Sequence, residues 1–364
     1  MEKMVKVNFK EVFQQKKVFV TGHTGFKGSW LICWLQDLGA NIKGYALATE
    51  SDNDLYDLIN GDSICESVIA DIRDKEKLKN EIISFQPDFI FHLAAQPIVR
   101  YSYDFPVETF EVNTLGTANV LDALRFLEKS CVAVVITTDK VYENHETGEP
   151  YVEKDKLGGY DPYSASKAAA EIIVSSYRNS FFSSHQFSVH KKSISSARAG
   201  NVIGGGDWAK DRIIPDIVRA LINDKPIQIR NPDSIRPWQH VLDSLSGYLS
   251  LAAHQFNDPV KYAQAFNFGP QMNDCKKVKD IVESAMKCWG RGSADYKKNA
   301  QDYHEAALLR LDISKAGKIL NWSPKYDSDI AILKTISWYK EFIDSGKQNA
   351  KDLVINDIIE YYKS

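Results

Sequence analysis

The chain has 364 residues, with 45 Lys and Arg against 48 Asp and Glu and 44% hydrophobic residues, enough for about two domains and a large core. So even a charge balance excludes the polybasic field of a nucleic-acid or anionic-membrane binder. Five scattered cysteines (Cys33, Cys65, Cys131, Cys275, Cys288) form no CxxC pair, metal-ligand set or disulfide framework. No apolar run of about 18 residues offers a membrane span, and the first residues lack a signal peptide's apolar core, so a reduced, cytoplasmic, globular protein is expected.

Residues 17–21 form a short apolar run that ends at Gly22. Gly22-His23-Thr24-Gly25-Phe26-Lys27-Gly28 follows, and then Ser29–Leu35, which reads as a buried helix. Strand, glycine turn and helix is the geometry that brings backbone amides to a pyrophosphate at a helix N-terminus. The spacing is GxxGxxG. A second strand is read at Ile42–Leu47. At the usual place for a ribose-binding acid it is followed by Ala48-Thr49, with Glu50 and Asp52 slightly late, so this strand does not decide between NAD and NADP. The third strand, Ser67–Ala70, runs into Asp71-Ile72-Arg73-Asp74. There Asp71 is read either as a helix cap or as a partner for an adenine amino group.

A helix near 75–85 stops before Pro87, and the fourth strand, Phe89–Leu93, leads into the small residues Ala94-Ala95 and then Gln96. Small side chains at a strand's carboxyl end let a ligand approach closely, while His92 is read as a packed core histidine. Residues 107–128 are expected to form one long helix with Phe110, Leu115, Val120, Leu121, Leu124 and Leu127 apolar, and with Asn113 as core glue or a cofactor contact. The fifth strand, Val132–Ile136, runs into Thr137-Thr138-Asp139-Lys140-Val141-Tyr142, and the acidic stretch from Glu143 to Asp155 reads as a loop over the sheet's carboxyl edge. Strands separated by helices predict a Rossmann-type, doubly wound parallel sheet.

Asp161-Pro162-Tyr163-Ser164-Ala165-Ser166-Lys167 opens a strong helix-forming run, so Tyr163 and Lys167 share one helical face. A phenol titrates near ~10, and an ammonium one turn away, with a positive nicotinamide ring, would favour its ionised form. From about Arg198 the strand–helix alternation breaks down. Pro215, Pro226, Pro232 and Pro237 punctuate short segments, and Arg212, Arg230 and Arg236 suit phosphate recognition. A final helix carrying Ile332, Ile336, Trp338 and Tyr339 reads as core. The expected division is an NAD-binding domain over 1–198, with later segments returning to it, and a smaller α/β substrate domain over 199–364.

Gly22/Gly25/Gly28, Asp71, Leu93-Ala94-Ala95, Asn113, Thr138 and Tyr163/Lys167, in this order, resemble the extended short-chain dehydrogenase/reductase superfamily over nearly the whole chain. Within it, Thr137–Tyr142 resembles the Ser-Thr-Asp-Glu-Val-Tyr segment of the nucleotide-sugar 4,6-dehydratases, with Lys in place of Glu. That variant, with Gly204–Pro215 and Arg236–Val241, points to the branch acting on CDP-glucose. The resemblance implies NAD on the glycine turn (Gly22 to Gly28), on Asp71 and Ile72, on Leu93 to Ala95, and on Asn113 and Thr137. Tyr163 and Lys167 would lie at nicotinamide and ribose. It places substrate on Gln96, Thr138, Asn201, Arg212, Arg230, Arg236, His304 and Glu305, and it implies a homodimer.

The activity so implied is a lyase that borrows and returns a hydride. Tyr163 takes the 4-hydroxyl proton and Thr138 bonds that hydroxyl. Asp139 and Lys140 act as acid and base for loss of water, in a cleft that favours their neutral forms. A 4-epimerase would share everything except the need for that acid–base pair; a net oxidoreductase and a non-enzymatic dinucleotide sensor are the other readings.

Overall fold

The computed structural model describes residues 7–229, 231–296 and 309–363. Its centre is a seven-stranded, all-parallel sheet. The strands are β1 (Lys17–Thr21), β2 (Asn41–Ala46), β3 (Glu66–Ile69), β4 (Phe89–His92), β5 (Cys131–Thr137), β6 (Lys192–Ala199) and β7 (Ala265–Phe268), in the spatial order β7-β6-β5-β4-β1-β2-β3. The strands expected from sequence are present within about a residue at their ends, while β6 and β7 extend the sheet beyond the five foreseen.

Both faces of the sheet are covered, so successive strand residues serve opposite cores. Val18, Val20, Phe89, Phe91, Val132 and Val134 pack on one side under α1 (Phe26–Asp37). Phe19, Ile90, Ala133 and Val135 pack on the other, under α2 (Lys75–Phe85), the helical run 106–126 and α3 (Pro162–Ser180). Asp74 caps α2, accepting from the Lys77 amide, so the cap reading of Asp71 is corrected.

The run 106–126 departs from the single helix expected: Pro106–Phe110 is α-helical, Glu111–Leu115 is a wide π turn, and Gly116–Ala123 returns to α. Of the apolar positions expected over 107–128, Phe110 and Leu115 lie at the surface, while Val120, Leu121, Leu124 and Leu127 are buried.

The second half does not stay apart. After α4 (Ile213–Ile222), α5 (Val241–Asn257) runs against the sheet buried on nearly all sides, and β7 pairs with β6. Gly247 lets α5 sit on Phe268, whose ring would lie 2.4 Å from any Cβ there. The chain continues through α6 (Val278–Trp289), α7 (Ser328–Ser345) and α8 (Ala350–Lys363). Ile332, Ile336, Trp338 and Tyr339 of α7 are core, although α7 is not the last helix. No helix of the described residues is long and apolar enough to cross a membrane.

Candidate active site

The glycine turn opens beside the carboxyl ends of β1 and β4. Gly22 has φ +76°, and a Cβ there would lie 2.7 Å from the Ala94 nitrogen; a Cβ at Gly28 would meet the Gly22 carbonyl at 2.0 Å. Both positions therefore demand glycine. The turn, the ends of β2 and β3 (Tyr45 to Leu47, Ala70 to Ile72) and Leu93-Ala94-Ala95 line a cavity of about 230 Å³. A bare-backbone cradle at the N-terminus of α1, open along the strand ends, fits a dinucleotide. At the β2 end the wall is Tyr45, Ala46 and Leu47, with no acid.

Three expected cofactor residues take other posts. The His23 ring turns away from the cavity into a slot left by Gly44, where it meets the Ser67 hydroxyl (2.8 Å) and the edge of Tyr56; burial lowers its pKa to about 4. Asn113 is glue: its amide grips the Gln96 backbone at both ends (2.8 and 3.0 Å) and donates to Ser166 (2.9 Å). The π turn carries it there. Thr137 donates its hydroxyl to Glu171 (2.6 Å). The Asp71 carboxylate is held by the Arg73 guanidinium, which lowers its pKa.

A larger cavity, about 360 Å³, adjoins the first, and Phe26, Lys27, Pro97 and Arg212 line both. Into it face Thr138, Asp139, Lys140, Tyr163, Asn201 and Arg236. Asp139 and Lys140 stand on a one-turn 3₁₀ helix after β5, capped by the Thr138 side chain. The Thr138 hydroxyl donates to Asp139 Oδ1 (2.9 Å) and the Asn201 amide to Oδ2 (3.1 Å), while Gly200 is bare where the carboxyl packs. Asn201, expected against the nucleotide diphosphate, thus holds the acid. Gln96 does not line the cavity. Its amide donates to Thr109 (2.8 Å), and the cavity is lined instead by Pro97 to Arg100, which sequence reasoning missed. Arg212 pairs with Asp207 (2.8 Å), and the cavity's far wall includes Ile227 to Ile229, Ser234 and Trp238. Arg230, His304 and Glu305 lie outside the described residues.

Electrostatics refine the reading of the tyrosine–lysine pair. Burial holds the Tyr163 phenol up at about 12, against the pull of the Thr138 hydrogen bond and the Arg212 charge. Lys167 donates to the Ile136 carbonyl (2.9 Å), and burial brings its pKa to about 8, with Glu171 raising it. The expected lowering of the phenol by Lys167 is therefore not realised by the protein alone. Lys27 is also brought down to about 7, by burial and then by Arg212 and Lys167.

The family described as GDP-mannose 4,6 dehydratase matches residues 19–335. The chain is 46% identical to CDP-glucose 4,6-dehydratase of Salmonella typhimurium over 92% of its length and 93% of that protein. Among solved structures, an epimerase from Methanothermobacter thermautotrophicus superposes with TM-score 0.78 at 23% identity, covering 93% of this chain and 95% of that one. The dTDP-glucose 4,6-dehydratase DesIV of Streptomyces venezuelae, with NAD and TYD bound, gives 0.76 at 21% identity, covering 89% and 97%. These two likenesses speak to the fold.

Proposed function

The chain belongs to the GDP-mannose 4,6 dehydratase family, and from that premise we propose that it converts CDP-D-glucose to CDP-4-keto-6-deoxy-D-glucose as an NAD-dependent hydro-lyase. The observation that carries this reading is one cavity lined by both Tyr163, suited to take the proton that accompanies hydride transfer, with Lys167 one helical turn along, and a candidate acid–base pair, Asp139 and Lys140. A 4-epimerase requires only the first.

NAD would lie on the glycine turn, Asp71 and Ile72, and Leu93 to Ala95, reaching Tyr163 and Lys167. When bound, it would supply an acceptor and then a donor for the sugar's hydride, together with a positive ring that favours the Tyr163 phenolate. Tyr163 removes the 4-hydroxyl proton while Thr138 orients that hydroxyl. The resulting ketone acidifies the C5 proton, which Lys140 removes. Asp139, fixed through both oxygens by Thr138 and Asn201, protonates the departing 6-hydroxyl. Arg212 and Arg236 suit the diphosphate. With CDP-glucose the product is expected to be lighter by one water with no net NADH; a product of unchanged mass would favour the epimerase.

The β2 end offers the ribose no acid, and each missing charge-assisted hydrogen bond weakens binding by about one to two decades. NAD is accordingly expected to leave during dialysis, and stoichiometric NAD surviving dialysis would overturn this expectation. The proposal includes a cytoplasmic setting and a place early in deoxysugar synthesis for lipopolysaccharide. It also includes a homodimer through the run 106–126 and α3, where Val107, Leu115 and Ile172 are 70%, 56% and 59% exposed. Light scattering at micromolar concentration should give a dimer mass; a monomer would count against it.

A further inference from the structure

Behind the cavity, on the side the reaction does not use, lies a buried cluster that the mechanism leaves without a task. Tyr163, Lys167 and Glu171 follow one another at four-residue intervals along α3, so the Glu171 carboxylate sits one turn behind the ammonium. Lys167, Glu171 and Arg198 are all buried. Glu171 Oε1 accepts from the Thr137 hydroxyl (2.6 Å), and Oε2 accepts from the Ser196 hydroxyl (2.8 Å) and the Arg198 guanidinium (2.9 Å). Arg198 in turn donates to the Tyr142 hydroxyl (2.8 Å) and the Glu153 carbonyl (3.0 Å), and the Tyr142 hydroxyl donates to Asn267 (2.7 Å).

The cluster therefore joins the carboxyl ends of β5, β6 and β7. Thr137 precedes Asp139 by two residues, and Arg198 precedes Asn201, which also holds Asp139, by three. We propose that Glu171, held by Arg198, is a positioning residue for the reaction: it clamps the strand ends that fix Asp139 and places a permanent negative charge one turn behind Lys167. This rests on the function proposed above.

Burial pushes the Glu171 carboxyl up, and the Arg198 charge with the three hydrogen bonds outweighs it, so the group stays below the usual carboxylate range. Other groups face the pair. Lys27 from α1 and His92 from β4 lie near Lys167; Asp139, Arg212, Asp161 and Tyr248 lie near Tyr163. His92, lowered to about 3 by burial, stays neutral, while Lys27, at about 7, feels the Lys167 charge and Arg178 feels that of Glu171, so both belong to what the variants move.

The sign follows from charge. Glu171 raises the Lys167 pKa, so Glu171→Gln lowers it; in the loaded enzyme, where a positive nicotinamide ring joins Lys167 beside the phenol, less positive charge then remains to favour the Tyr163 phenolate. The limb along which kcat rises with pH should move to higher pH. At pH 7, kcat should fall about tenfold while KM for CDP-glucose changes less than about threefold. Glu171→Asp, which keeps the charge, should return the limb to its parental place.

Because Glu171→Gln leaves a buried guanidinium unpaired, Glu171→Gln/Arg198→Met is measured beside it, with thermal melting for all variants. The double variant should melt near the parent yet keep the displaced limb. An active parent with an unmoved limb in Glu171→Gln, or in the folded double variant, overturns this inference alone. Loss of the fold in every variant also overturns it, by making the pair purely structural. A parent inactive on CDP-glucose overturns the proposed function and this inference with it.

Discussion

Lys140→Ala is expected to oxidise CDP-glucose at C4, accumulate NADH and then stall. The substitution leaves Tyr163, Lys167 and Thr138 in place on α3 and at the end of β5, so the first half of the cycle keeps its machinery. Lys140 itself lines the cavity, half-buried, on the turn that also carries Asp139. Removing a general base costs about a hundred- to ten-thousand-fold, so turnover should fall by about three decades. With CDP-glucose deuterated at C5, rapid mixing should show NADH rising and persisting while exchange of the C5 hydrogen with solvent slows to match. Exchange at the parental rate would move the base to a water or to Tyr163.

Tyr163→Phe should fail one step earlier. The change removes one oxygen and leaves the ring that walls the cavity, so the nucleotide sugar should still bind. In the ligand-free protein, burial keeps the phenol at about 12, so ionisation near neutral pH depends on what the bound cofactor contributes. Without the phenol the proposed acceptor of the 4-hydroxyl proton is gone, and both the first-turnover NADH signal and kcat should drop about a thousand-fold or more. NADH formed near the parental rate would assign that proton to Thr138 or to water. Together the two variants divide the cycle: one stops after NADH appears, the other before.

The strands legible in the sequence are those whose apolar residues run unbroken, such as Val132–Ile136. β6 escaped because its sequence, Lys-Ser-Ile-Ser-Ser-Ala-Arg-Ala, is polar although fully buried. Its hydroxyls and the two terminal guanidinium nitrogens meet partners far away in sequence, Ser195 with Gln255 (2.8 Å) and both Ser196 and Arg198 with Glu171, although Arg198 Nε is left without one. Pattern reading takes a buried position to be apolar, and here the partners do that work instead. α5 hid for a related reason: Ser244, Ser246, Gly247 and Ser250 dilute its pattern but let it pack closely.

The site divides along the same line. Residues whose backbone defines them, Gly22 and Gly28, stand where spacing places them, and so do Tyr163 and Lys167, set by helix pitch. Where a side chain aims depends on what lies opposite. His23 follows the gap at Gly44, Gln96 follows Thr109, and Asn201 follows Asp139. Glu171 was visible as the next step of the Tyr163–Lys167 interval, but its value lay in Arg198, on another strand.

β7 also bears on how such a chain comes off a ribosome. By Ala199 six of the seven strands have been synthesised, yet β6 still has an open edge and the hydroxyls of Ser193 and Ser195 lack Gln255. The helix that seals that face, α5, and the strand that closes the edge arrive only by Phe268. The nascent sheet must wait, with one apolar face covered only in part by α1, for roughly a further third of its own length of chain. Chaperone demand should concentrate in that interval, and a gene cut between the two halves would release a fragment prone to stick to its own kind.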